Sequence, residues 1–131
     1  MGPVTRSLSF ITERLRYGPT MQAKNTTPKA NAIITGASKR IGRAIALSLA
    51  ESGYGVVVHY NSSRGDAIRL CREIEENRVP AWPIRADLGK PSEAEGLIER
   101  ALDQSGALSV LVNNASIFPP ATLDDVTYKD L

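Results

Sequence analysis

A glycine-bearing turn, TGASKRIG from Thr35 to Gly42, holds the residue types in this sequence that best suit binding of an anion. The turn joins a short apolar run to a helical apolar pattern, so it links a predicted strand to the start of a predicted helix. The first N–H groups of a helix lack intrahelical partners and lie at the positive end of its dipole, which favours a pyrophosphate there. Gly36 lets the backbone approach that anion, and Gly42 lets the helix pack closely on the strand. The candidate contacts in this turn are Gly36, Ser38, Lys39, Arg40, Ile41 and Gly42.

The residues after the second predicted strand indicate which dinucleotide the turn would suit. A site for NAD(H) has an Asp or Glu at the end of that strand, about 20 residues on, to bind the ribose 2′-hydroxyl. Tyr60 stands there instead, 18 residues after Gly42, and no carboxylate follows before Asp66. With no acid to repel a 2′-phosphate and with basic groups nearby, the sequence predicts NADP(H) over NAD(H). Alternatively, the turn's basic residues are solvated surface charges, and Ser63 merely caps the second helix. The predicted contacts here are Lys39, Arg40, His59, Tyr60, Asn61, Ser62, Ser63 and Arg64.

Other kinds of chemistry have few residues to support them. His59 is the only histidine and Cys71 the only cysteine, so the chain can form neither an internal disulfide nor a cysteine-based metal site. We expect His59 to pack near the adenosine rather than to transfer a proton, and Cys71 to be a small core residue. The net charge of +2 predicts no nucleic-acid partner. No apolar run approaches the ~20 residues of a membrane span, so the sequence predicts a cytoplasmic protein without a metal or a membrane partner.

Strands and helices alternate in the hydrophobic pattern after Asn31, which predicts parallel strands joined by right-handed crossovers. The predicted fold class is therefore α/β, a Rossmann-type doubly wound parallel sheet, with the first strand beside the topological switch point. Residues 1–30 are expected to form a disordered extension, with an organelle transit peptide or a true start at Met21 as alternatives. Residues 31–131 are expected to form an incomplete NADP(H)-binding domain, truncated after the fourth strand. The predicted strands span residues 32–35, 56–60, 81–86 and 108–113.

The helices between these strands are predicted from apolar stripes at helical spacing. Gly53 and Gly106 are expected to end the first and third helices. Ser92 and Glu95 are predicted to form a capping box at the start of the third helix. Pro83 cannot donate to a ladder, so the third strand is expected at an edge of the sheet. A fourth helix is predicted from Thr122, after a loop at Pro119 and Pro120. The stripes are Ile41, Ala44, Ile45 and Leu49; Ala67, Leu70, Cys71 and Ile74; and Ala94, Leu97, Ile98, Ala101 and Leu102.

Taken alone, the two glycines of the turn also fit a purely structural role, but two further motifs accompany them. The turn resembles the TGxxxGxG element of the short-chain dehydrogenase/reductase family, and residues 113–116, NNAS, resemble its NNAG element. Asp87 and Leu88 match the residues that family members place near the adenine ring. Arg40 and Ser116 replace family glycines, and with His59 and Tyr60 they are similar to the pteridine-reductase-like branch. The resemblance covers residues 31–131 and adds Asp87, Leu88, Asn114, Ala115 and Ser116 to the expected cofactor contacts.

The resemblance implies hydride transfer from a nicotinamide cofactor to a carbonyl or imine, with a pteridine-like compound among the substrates. It also implies a catalytic Ser and a Tyr-x-x-x-Lys pair, in which Tyr is the general acid. None of the four tyrosines has a lysine four residues later. The family places this pair after a fifth strand, so we expect no catalytic residue in this chain and no turnover by the chain alone. The complete enzyme is expected to be a homo-oligomer acting on a small molecule. A non-catalytic nucleotide-binding module and a non-functional truncated product are the alternatives.

Overall fold

The computed structural model describes residues 27–116, which contain four strands and three helices. The predicted loop at Pro119 and Pro120 and the predicted helix from Thr122 lie outside these residues, as does most of the predicted extension. Within the described part, no helix is long and apolar enough to cross a membrane. In chain order the elements are β1 (Asn31–Ile34), α1 (Arg40–Glu51), β2 (Gly55–Tyr60), α2 (Arg64–Glu75), β3 (Ala81–Arg85), α3 (Pro91–Ser105) and β4 (Val110–Val112).

The four strands form one parallel sheet in the order β3-β2-β1-β4. The chain leaves β1 toward β2 and β3 on one side and returns to place β4 on the other side. The boundary between β1 and β4 is therefore the topological switch point, which confirms the predicted doubly wound architecture. Pro83 lies in β3, at the edge of the described sheet, opposite Val58 of β2. This confirms the prediction for the third strand, because an edge strand has one side on which no N–H is needed.

Apolar layers lie on both faces of the sheet, because successive side chains of a strand point to opposite sides. On one face, Ile34 and Val58 pack with residues of α1 and α2, including Leu70. On the other face, Ile33 and Val57 pack with residues of α3. Burial on both faces explains the continuous apolar runs in β1 and β2. Cys71 is fully buried in the first layer, as expected, and burial raises the pKa of its thiol.

The buried face of α1 differs from the predicted stripe. Small residues, Gly42, Ala46 and Ala50, form that face and let the helix lie close to the sheet. Ile41 is 70% exposed, so its assignment to the apolar stripe was wrong. The predicted end of the helix is confirmed. Gly53 has a φ of 94°, and the N–H groups of residues 53 and 54 donate to the carbonyls of residues 50 and 49, as in a Schellman motif.

The start of α3 also differs from its prediction. The helix begins at Pro91 with Lys90 as N-cap, and no side chain caps it, so the predicted Ser92–Glu95 capping box is wrong. Proline suits the first helical position because its fixed φ is already helical and its missing N–H would have had no partner. The stripe behind it is buried at Leu97 and Ala101 only. At the other end, Gly106 adopts a φ of 86° and ends the helix as predicted.

Candidate functional site

The carboxyl ends of the four parallel strands lie along one edge of the sheet, so the loops that follow them come together there. The turn after β1, the segment after β2, the loop after β3 and residues 113–116 after β4 all belong to this edge. The predicted contact residues lie in these segments, in the last two residues of β2 and in the first turns of α1 and α2. Crevices at such an edge, beside a switch point, are where open α/β sheets bind ligands.

Gly36 is the first residue of the turn that only glycine suits. Its φ is 62°, a left-handed conformation that costs other residues about 1–2 kcal/mol. A Cβ at this position would lie 3.0 Å from the Cα of Ala115. The turn after β1 therefore packs directly on the segment after β4, with no side chain between them.

Gly42, in the first turn of α1, lies close to both the turn after β1 and the segment after β4. A Cβ there would lie 2.4 Å from the carbonyl oxygen of Gly36 and 2.5 Å from Nδ2 of Asn114. Both distances are far below van der Waals contact. The close packing predicted for Gly42 is thus present, and its reason is the returning turn rather than the strand itself.

Thr35 and Asn114 join the ends of β1 and β4 by hydrogen bonds. The Thr35 hydroxyl oxygen accepts the backbone N–H groups of Asn114 and Ala115, both at 3.0 Å. The Asn114 side-chain amide donates to the carbonyl oxygens of Thr35 and Gly36, each at 3.1 Å. Asn114 was predicted to contact the cofactor, whereas the side-chain amide in this structure holds the turn. Thr35 was missed as a site residue, although its position directly before Gly36 was a usable signal.

His59, near the end of β2, holds the turn after β1 through a hydrogen bond. Its Nδ1 accepts the N–H of Gly36 at 2.9 Å, so the neutral ring carries its proton on Nε2 and donates it to the carbonyl oxygen of Ala86, also at 2.9 Å. Burial lowers the pKa of His59, while the bond to Ala86 opposes the shift and Arg100 adds to it. His59 is 2% exposed, and this burial does not favour a direct contact with adenosine. That contact stays a prediction. The histidine positions the turn and the loop after β3.

We predict that His59 makes the protein sensitive to mild acid. Unfolded histidine has a pKa near 6.5, and the folded value lies below it, so the unfolded state binds a proton at higher pH than the folded state. The free energy of unfolding should be nearly constant around pH 7.5 and should fall as pH decreases through 6.5, by at most about 1.4 kcal/mol per pH unit. Urea denaturation between pH 7.5 and 5.5 measures this slope. In His59→Gln the slope should vanish over that range, and an identical slope in both proteins would contradict the assignment.

Two basic side chains, Lys39 and Arg40, lie exposed at the rim of the turn. Arg40 stands at the position of a family glycine and adopts a φ of 53°, the left-handed conformation that a glycine would take without strain. Lys39 is less free than predicted, because its Nζ lies 3.5 Å from Oδ2 of Asp66. No carboxylate stands between Tyr60 and Asp66, as the sequence shows, but Asp66 itself lies beside the basic rim. The first turn of α2 lies beside the loop after β1 and brings Asp66 to Lys39.

The last residue of β2 and the residues that follow it divide into buried and exposed positions. Tyr60 is 9% exposed and packs in the apolar layer under α1 and α2, so its side chain contributes to the core. Asn61 binds Arg85, whose Nε and Nη2 donate to the carbonyl oxygen and Oδ1 of Asn61 at 3.2 and 3.1 Å. Ser62 is exposed and Ser63 half-buried. Ser63 occupies the N-cap position of α2 but makes no side-chain capping bond, so its hydroxyl is not used in the way the structural alternative predicted.

The loop after β3 is held by Glu93, which sequence reasoning did not single out. Its Oε2 accepts the backbone N–H of Asp87 at 2.7 Å and the Nη1 of Arg85 at 2.9 Å. These contacts lower the pKa of Glu93, the bond from Asp87 most of all. Oδ1 of Asp87 in turn accepts the N–H of Gly89 at 2.9 Å, and Leu88 is exposed. One carboxylate therefore joins the loop after β3 to Arg85 and, through it, to Asn61.

The fold and this edge together define a nucleotide-binding module of the doubly wound α/β class. The family model described as "short chain dehydrogenase" matches residues 30–131, and the chain belongs to that family of oxidoreductases. The resemblance seen in the turn and in residues 113–116 is thereby confirmed at the level of the family. The pteridine-reductase-like branch stays a prediction.

Similar proteins include named reductases. The chain is 44% identical over 87 residues to a 3-oxoacyl-[acyl-carrier-protein] reductase of Staphylococcus epidermidis, covering 66% of the chain and 36% of that protein. It is 38% identical over 96 residues to versicolorin reductase of Emericella nidulans, covering 73% of the chain and 36% of that protein. A blue fluorescent protein from a metagenomic library, solved with NADPH, has a TM-score of 0.69 and 35% identity, with 81% of this chain and 44% of that chain covered. The chain thus matches less than half the length of each of these proteins.

Proposed function

We propose that this chain is the NADP(H)-binding portion of a short-chain reductase whose complete form transfers hydride to a carbonyl or imine carbon. The observation that carries the cofactor preference is Arg40. Its side chain is exposed at the turn, and none of the ion pairs among residues 27–116 includes it. A guanidinium in that state is available to form charge-assisted hydrogen bonds with a 2′-phosphate.

The residues present fit such a cofactor along its length. Gly36 has no side chain where the turn approaches the segment after β4, and the first N–H groups of α1, which lack intrahelical partners, would bind a pyrophosphate. Lys39, Arg40, Ser62 and Ser63 would surround the 2′-phosphate, and the loop after β3 would lie beside the adenine. When bound, the nicotinamide supplies the hydride. This chain's own residues bind and orient the cofactor, and Thr35, Asn114 and His59 hold the turn in the binding shape.

The similar proteins support the same proposal. Two of them are named reductases, and a structural neighbour was solved with NADPH. We extend the proposal to the complete protein, as a cytoplasmic homo-oligomer with a small carbonyl or imine substrate. A pteridine-like ring is one candidate for that substrate, on the strength of Arg40 and Ser116 at their motif positions.

Arg40→Gly tests the cofactor preference. We expect the affinity for 2′,5′-ADP to fall at least about tenfold, the loss of one charge-assisted hydrogen bond, while the affinity for 5′-AMP stays nearly constant. The two ligands differ only in the 2′-phosphate, so the ratio of their dissociation constants, measured by calorimetric titration, isolates its contribution. The same substitution should raise the free energy of unfolding by about 1 kcal/mol, because glycine adopts a positive φ without strain.

Arg40→Lys is the matched control for this prediction. It keeps the charge and the strained backbone, so most of the 2′-phosphate preference should remain and no stability should be gained. Equal affinity of the unaltered protein for 2′,5′-ADP and 5′-AMP would refute the NADP(H) assignment. An affinity ratio that Arg40→Gly leaves unchanged would show that Arg40 is only a surface charge.

A further inference from the structure

An ion pair between the turn and α2 involves Lys39, one of the two basic side chains proposed to bind the 2′-phosphate. Nζ of Lys39 lies 3.5 Å from Oδ2 of Asp66, and the two side chains are 60% and 32% exposed. Asp66 lies in the first turn of α2, six residues beyond the strand end where a family NAD(H) site would have its acid. The carboxylate is therefore displaced along the chain but still reaches the basic rim.

Two features of its surroundings stabilise the ionised form of Asp66. Arg69, one turn further along α2, donates a hydrogen bond to Oδ1, and this contact is the largest cause of the lowered pKa of Asp66. A negative charge in the first turn of a helix is also stabilised by the helix dipole. Because Arg69 binds the other oxygen, the carboxylate keeps a partner when Lys39 leaves it. When Lys39 moves from Asp66 to a 2′-phosphate, the Asp66 carboxylate therefore still has Arg69 as its partner.

We propose that Asp66 is an internal competitor of the 2′-phosphate and weakens the preference for NADP(H) over NAD(H). The inference rests on the proposed function, since it takes Lys39 as a 2′-phosphate ligand. A phosphate at the rim must draw the Lys39 ammonium away from Asp66, and it also approaches the carboxylate itself. Both effects lower phosphate affinity and leave the binding of an unphosphorylated ribose unchanged. Asp66 is thus a specificity-determining residue that acts through Lys39.

Asp66→Asn is the direct test. We expect its affinity for 2′,5′-ADP to increase about five-fold at low salt, the size expected for removing one nearby exposed charge, with no change for 5′-AMP. The gain should shrink at high salt, because exposed charges are screened. In a Lys39→Gln background, the same substitution should raise affinity less than about two-fold, since most of its effect passes through the lysine. Asp66→Ser, which also removes the charge, should behave as Asp66→Asn does.

Glu73→Gln is the matched control. Glu73 lies on the same helix and pairs with Arg43 of α1, so its loss removes one charge and one ion pair between neighbouring segments. It lies seven residues from Asp66, about 10 Å along the helix, so its charge acts on a phosphate at the rim more weakly than that of Asp66 does. Its ligand affinities should match those of the unaltered protein. If Asp66→Asn and Asp66→Ser leave the 2′,5′-ADP affinity unchanged while that ligand is still preferred over 5′-AMP, the competitor role is refuted and the proposed function stands. If no preference exists in any variant, the proposed function itself fails.

Discussion

Gly42→Ala is expected to destabilise the protein by about 3 kcal/mol and to abolish nucleotide binding. Its Cβ would meet the Gly36 carbonyl oxygen at 2.4 Å, Nδ2 of Asn114 at 2.5 Å and the Cα of Ala37 at 2.9 Å. Two of these atoms belong to the backbone of the turn, so no side-chain rotation can relieve the overlap. The turn must move away from α1, and that movement breaks the hydrogen bonds that Asn114 makes to it.

Gly96→Ala is the matched control, because Gly96 also lies within a helix but a Cβ there would have no heavy atom within 4 Å. Alanine at an open helical site should stabilise the protein by about 0.5–1 kcal/mol and leave binding intact. Urea denaturation gives the two stability changes, and titration with 2′,5′-ADP gives the two affinities. The same substitution should therefore have opposite signs at the two positions. A stable Gly42→Ala protein with normal affinity would contradict the geometry of the turn.

Much of the fold follows from local sequence pattern, because each element buries its own apolar face. The continuous apolar runs of β1 and β2, the helix-ending Gly53 and Gly106, and Pro83 in an edge strand were all predictable in this way. The wrong prediction for the buried stripe of α1 also has a cause in this pattern. Apolar periodicity gives weight to large residues, so it assigned Ile41 to the buried stripe, whereas the face of α1 that contacts the sheet consists of small residues.

The supporting parts of the candidate site were harder to predict, because they depend on contacts between distant segments. His59 reaches Gly36 across 23 positions of sequence, and Thr35 reaches Asn114 across 79. Glu93 was overlooked because a Ser-x-x-Glu pattern at residues 92–95 suggested a cap at Ser92, whereas the helix begins at Pro91, two residues before the start that such a cap would give. Asp66 was placed outside the site by counting residues from the strand end. The number of residues between two positions does not show that the first turn of α2 lies beside the turn after β1.

These supporting contacts divide the site into a rigid base and a charged rim. The base is made of backbone N–H and C=O groups held by Thr35, Asn114 and His59, of which Thr35 and His59 are buried. The rim contains Lys39 and Arg40, whose charges face solvent. Substitutions at the rim should therefore change which ligand is preferred. Substitutions in the base should change stability and the affinity for every ligand together.

Thr35→Val tests the hydrogen bonds of the base while it keeps the shape of the side chain. Valine fills the same volume but cannot accept the N–H groups of Asn114 and Ala115, which the hydroxyl accepts at 3.0 Å each. A buried donor that loses its acceptor costs about 1–3 kcal/mol. Because Asn114 is only half-buried and Ala115 is exposed, water offsets part of that loss. We expect a total destabilisation of about 2 kcal/mol and a roughly tenfold loss of affinity for both 2′,5′-ADP and 5′-AMP.

Thr35→Ser separates the hydroxyl from the methyl group. Serine keeps the acceptor, so its binding should match that of the unaltered protein and its stability loss should stay below about 1 kcal/mol. Denaturation and ligand titration compare the two variants. Amide hydrogen exchange adds a local measurement, because the N–H groups of residues 114 and 115 should exchange faster in Thr35→Val than in Thr35→Ser, while those of β2 should not differ beyond the change in global stability. Equal protection of both amides in the two variants would show that the Thr35 hydroxyl does not hold the segment after β4, and the joined ends of β1 and β4 would need another explanation.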